Sequence, residues 1–165
     1  MQIQGLLSQF PKEVKILIAA FVVTLSIGFF TGINFVKITS TFQSTGIASN
    51  YLGNENDEEA DVMQFKKSEK EILTLIHNHI LSMSIIFLLL GGILSLTSLS
   101  KRWKAILMFE PFLSIILTFG GIYILWSGVI WFKYIIMLSG LAMVLSFIFS
   151  VFFILKEIVF SIKKA

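Results

Sequence analysis

Residues 71–96, EILTLIHNHILSMSIIFLLLGGILSL, decide the architecture of this chain. The stretch opens on a charge, passes the only two histidines of the protein, His77 and His79, and then continues without a charged residue. Residues 79–99 supply the roughly 20 helical positions needed to cross a hydrocarbon core about 30 Å thick. Three further runs match it in length and character, residues 16–36, 105–126 and 132–155, interrupted by charge only at Glu110 and Lys133. In lipid every backbone polar group must be bonded within the segment or within a closed barrel, and no alternating ten-residue pattern suggests a barrel. The expected fold class is therefore all-α: a four-transmembrane-helix bundle forming one membrane domain over residues 1–165. An extracytoplasmic loop, residues 38–77, separates the first two helices. The first run is too long for a cleavable signal peptide and lacks a small-residue exit, so it reads as a span.

Composition points the same way. With 56% hydrophobic and only 14% charged residues and a mean hydropathy of +0.88, the chain carries more apolar surface than a soluble core can bury. The absence of cysteine excludes structural disulfides, iron–sulfur clusters, thiolate zinc sites and dithiol redox chemistry. No P-loop, dinucleotide fingerprint, nucleophile elbow or zincin helix is present, which argues for a protein that is not an enzyme by itself. The basic residues form no stripe for nucleic acid. The expected partners are the lipid bilayer and other membrane subunits or a second copy.

Charge asymmetry sets the expected orientation. Lys12, Lys15, Lys101, Arg102, Lys104, Lys156, Lys163 and Lys164 fall on one side. On the other side are Lys37 and Lys133, together with Lys66, Lys67 and Lys70 in a long loop that also holds seven acidic residues, Glu55, Asp57, Glu58, Glu59, Asp61, Glu69 and Glu71. Both termini should face the cytoplasm of a bacterial inner membrane, and residues 38–77 should lie outside. The first half of that loop has too few apolar residues for a core of its own and should be extended or lie across the helix ends. Its acidic run NENDEEAD lacks the D-x-D-x-D-G spacing of a calcium loop and reads as solvated. In the second half, Ser68 and Glu71 have capping-box spacing, which predicts a helix from residue 69 to residue 99, about 46 Å long, projecting beyond the bilayer.

Small residues cluster in three spans: Gly28 and Gly32 in the first, Gly91, Gly92 and Ser95 in the second, Gly120 and Gly121 in the third. They allow close helix approach, expected mainly within the bundle and otherwise at an oligomer interface. Trp126, Trp131 and Tyr134 mark the outer interface and Trp103 the inner one.

Two positions invite chemistry. His77 and His79 point about 200° apart on a helix, so both cannot grip one metal, whereas His79 and Met83 share a face and suit a haem iron or copper ion. Alternatively both imidazoles are interfacial residues. Glu110 is an acidic residue inside a span, next to Pro111, and is a candidate proton or cation carrier unless Lys101, Arg102 or Lys104 pairs with it.

The outer segment Tyr51, Gly53, Asn54, Glu55, the H-x-H of His77 and His79, and Pro111–Phe112 together resemble a group of small four-helix inner-membrane proteins of bacteria. The resemblance spans about residues 40–121. It implies this topology and directs attention to the H-x-H and the loop, and it implies no particular activity. The functional expectation is an integral subunit or accessory protein of a membrane assembly, respiratory in kind. The alternatives are a haem or copper redox protein using His79 and Met83, and an ion- or proton-coupled transporter using Glu110. The loop itself should fold back, with Tyr51 and Leu52 packing on Ile72, Leu75 and Ile76 and Glu55 approaching the histidines to shield them.

Overall fold

The computed structural model describes residues 5–55 and 62–163, which are helical almost throughout, with no strand among the described residues. A 3-10 turn, Leu6–Gln9, leads into α1, Lys12–Ser40. Then follow α2, Ser44–Leu52, and α3, Glu69–Ser95. The third rod consists of α4, Lys101–Ile115, a π-helical turn, Ile116–Gly120, and α5, Gly121–Trp126; α6, Phe132–Lys163, completes the chain. Four rods are long and apolar enough to cross a membrane: α1, α3, α4 through α5, and α6. The all-α four-span bundle expected from hydropathy is the fold.

The start of α3 follows from its first residues. Ser68 accepts the Glu71 N–H through its hydroxyl, and its own N–H donates to the Glu71 carboxylate at 2.8 Å, a complete capping box. The other end departs from expectation, because the helix stops at Ser95 and not at Leu99. Here the Leu96 and Thr97 N–H groups bond to Ile93 and Leu94, and the Thr97 hydroxyl donates to the Leu94 carbonyl at 2.7 Å, tightening the last turn. Lys104 then reaches back from α4, buried, and donates its ammonium to the carbonyls of Ser95 and Thr97. The N-terminal turn closes the same end: Gly5 and Leu7 donate to the carbonyls of Thr97 and Leu96, and the Leu7 side chain is fully buried.

The bundle is centred on aromatic rings. Phe29 of α1 stacks on Phe147 of α6 with centroids 3.8 Å apart, and Phe87 of α3 meets both edge-on. The first span nonetheless lies at the periphery. Of its 29 residues only Lys15, Val22 and Ser40 are buried.

At the loop end, where a segment either extended or lying across the helix ends was expected, the chain is helical and packs on the bundle. Residues 44–52 form α2, because Ile47, Tyr51 and Leu52 recur at helical spacing and give it an apolar side that packs on the core. The reversal after α1 uses Thr41 and Phe42, both left-handed, at φ 52° and 57°. Gly46 permits the close approach that follows, since a Cβ there would lie 2.1 Å from the Ser40 carbonyl oxygen.

Candidate functional site

The third and fourth rods share a polar seam. On α4 and the π turn, Glu110, Ser114 and Thr118 recur every four residues and so share one helix face. On α6, Ser139, Ser146 and Ser150 are spaced by seven and four, which also returns them to one face. Ser114, Thr118 and all three α6 serines are buried. Ser114 donates its hydroxyl to one carboxylate oxygen of Glu110, and Ser146, from the facing helix, donates to the other. Two turns on, Ser139 gives its proton to the Ile135 carbonyl, so the Thr118 hydroxyl is the donor in the 2.7 Å bond between the two.

Glu110 lies nine residues into a 26-residue rod, about 14 Å along it and so roughly a third of the way. The pairing with Lys101, Arg102 or Lys104 does not form. Six residues place Lys104 about 240° around the helix from Glu110, and its ammonium is committed to the end of α3. The rod is also irregular here: Pro111 has no N–H for the Leu107 carbonyl, and the π turn begins five residues later. The result is a carboxylate held by two hydroxyls from facing helices beside an irregular stretch of backbone.

Sequence reasoning named Glu110 and missed Ser114 and Ser146. The Glu110–Ser114–Thr118 spacing was a readable signal, whereas Ser146 becomes a partner only through the register of α6 against α4.

The histidines occupy a different place. His77 and His79 are both exposed on α3. The His79 ring sits 4.7 Å from the Phe119 ring, and its Nδ1 lies 2.8 Å from the Leu75 carbonyl, which can only accept. Nδ1 is therefore the donor in this contact. Met83, one turn further on, is half-buried against the core. Among the described residues no group of three or more His, Asp or Glu side chains could hold a metal.

The loop folds back, but α2 packs chiefly on α1, α5 and α6 and not on the head of α3 as expected, and it does not cover the imidazoles. Tyr51, Leu52, Leu75 and Ile76 all pack against the buried core, and Ile72 is fully buried. After Gly53, at φ 81°, Asn54 exchanges backbone and side-chain hydrogen bonds with Val62 and Gln64, and the Tyr51 carbonyl accepts the Lys67 N–H. Glu55 is thereby committed to the Lys66 N–H at 3.2 Å, not to a histidine. Trp126 straps the segment down: its indole N–H donates to the Lys67 carbonyl at 2.8 Å, and the Lys66 ammonium stands 4.9 Å from its ring. Burial pushes the Tyr51 phenol above its ordinary value, and a hydrogen bond with Asn50 partly offsets this. Most of the acidic run, residues 56–61, lies outside the described residues.

One further surface stands out by its emptiness. Ala20, Thr24, Gly28 and Gly32 recur every four residues along α1, and all four are exposed. A Cβ at Gly28 or Gly32 would meet nothing within 4 Å. Gly91 and Gly121, by contrast, are used inside the bundle, against Met108 and Phe132.

A family model described as a transmembrane helical domain matches residues 41–165, which takes in α2 through α6 and leaves α1 outside. No curated protein and no solved structure matches the chain.

Proposed function

The chain belongs to the family of transmembrane helical domains, and on that premise we propose that it is an integral subunit of an inner-membrane assembly, held there along α1. The observation that supports this reading is the open small-residue stripe of Ala20, Thr24, Gly28 and Gly32. In lipid, apolar exposure alone does not drive helices together; close packing does, and small side chains permit it. A second copy of the chain carries the matching stripe, so a two-fold contact of α1 on α1 is the simplest assembly. In this reading both termini face the cytoplasm and α2 with its loop faces outward.

The test is size-exclusion with light scattering on protein purified in mild detergent. The wild type should run as an assembly, and Gly28→Leu, which places a bulky side chain on an empty surface and leaves the bundle intact, should shift it to the monomer. A wild type that is already a monodisperse monomer and copurifies with no other chain would contradict the proposal.

The Glu110 seam favours a second reading, in which the same protein passes protons or small cations. Glu110→Gln should then abolish flux in proteoliposomes while insertion and melting temperature hold, because the amide keeps the shape and can still bond both serines. Unchanged flux, or none in the wild type, would remove this reading.

A further inference from the structure

We propose that the terminal end of the bundle holds one anionic phospholipid, its phosphate between Lys15 and Lys156 and one acyl chain along α6. Two adjoining hollows support this. The first is a cleft of about 820 Å³ lined by Lys15, Ser98, Ser100, Lys156, Glu157 and Phe160 among others. The second is a groove of about 520 Å³, almost wholly apolar, lined by Phe30, Phe147, Ile148, Val151 and Phe152, and it shares Lys156 and Phe160 with the cleft. Polar hollow and apolar groove are thus continuous, as the two parts of a phospholipid are.

The cleft is arranged for an anion. Lys15 lines the cleft although only 5% of the residue is exposed, so its stem is enclosed by the protein. A cation so largely enclosed is stabilised by a negative charge placed in the hollow beside it. Glu157 is engaged elsewhere: one oxygen is held by the Ser98 N–H and hydroxyl at 2.6 and 2.7 Å, and the other is buried without a partner among the described residues. With Lys156 also on the wall, the two lysines outweigh the one carboxylate. Ser100 adds a further donor. It is the N-cap of the 15-residue α4, its hydroxyl caps nothing, and the first N–H groups of that helix are unpaired within it.

The groove sets the class of ligand. Between Phe147 and Phe160 it follows α6 for about 20 Å, more than half of a 30 Å hydrocarbon core and so about the depth of one leaflet. Free phosphate would leave that groove unused, and a detergent or neutral lipid would bring no net negative charge to the two lysines of the cleft.

The experiment is native mass spectrometry of the full-length protein in a neutral detergent, titrated separately with phosphatidylglycerol, phosphatidylcholine and inorganic phosphate. Phosphatidylglycerol should give one adduct at least tenfold tighter than phosphatidylcholine, and phosphate alone should give none at equal concentration. Lys15→Met with Lys156→Met should remove the preference, and Lys15→Arg should keep it. Lys156→Met alone, at an exposed position that cannot upset folding, should weaken the adduct severalfold. Equal affinity for the two lipids, a preference that survives the double substitution, or phosphate binding as tightly as lipid would each overturn the proposal.

Discussion

Tyr51 shows how a single side chain reports on the cap that α2 and its loop form at one end of the bundle. Its phenol is held neutral past the ordinary value of 10.0, first by burial against the bundle, with the Asn50 hydrogen bond working in the opposite sense. The folded state thus favours the protonated form. The resulting stabilisation is complete below pH 10 and is lost as pH rises through the elevated folded value. In an absorbance titration, the difference between wild type and Tyr51→Phe should show a phenol ionising above 10.0, with α2 loosening over the same range. A difference component at or below 10.0 would place Tyr51 in water. At this scale the sequence was legible in part. Glu110 stood out because a carboxylate within a span is rare and costly. Lys15 and Lys104 read as topology signals, yet both are buried. Whether a lysine near a span end is solvated or enclosed depends on what packs over it, here the N-terminal turn and the Leu96–Ser100 connection, and neither is written in its own neighbours.

The helices were legible to different degrees for physical reasons. A span must satisfy its backbone internally, so length and hydropathy suffice to find it, and all four rods lie where the apolar runs are. The capping box at Ser68 was equally local. By contrast α2 is nine residues with three apolar positions, too short to hold as a helix in water, and it exists because Gly46 lets it press against Ser40. The π turn was also hidden, since Pro111 signals a disturbed ladder without stating how the helix recovers. The strap between Trp126 and Lys67 joins α5 to the segment before α3, and Trp126 alone suggested only an interfacial aromatic. Trp126→Phe keeps the ring and deletes that bond, worth about 1 kcal/mol. Hydrogen exchange at the Asn54 and Lys67 amides should then run about fivefold faster while exchange in α6 is unchanged. Equal rates in the two proteins would mean that the strap does not hold the loop.

For the molecule as a whole, the uneven burial of its spans is the feature that most needs an explanation. α1 contributes the half-buried Phe29 to the central aromatic stack and buries only Lys15, Val22 and Ser40, and another of its sides presents four small residues to the surroundings. The sequence showed the G-x-x-x-G but favoured its use within the bundle. Only the packing of α1 on α6 reveals which face is left over, and a rule about small residues cannot choose between neighbours it does not see. Assembly along that face is the central claim, and oxidative cross-linking in native membranes tests it most directly. The chain has no cysteine, so Thr24→Cys, a nearly isosteric change on the stripe, and Leu138→Cys, exposed on α6, each introduce a single thiol. Thr24→Cys should yield a species of twice the chain's mass and Leu138→Cys should not. Equal cross-linking at the two positions, or none at Thr24→Cys, would contradict the account.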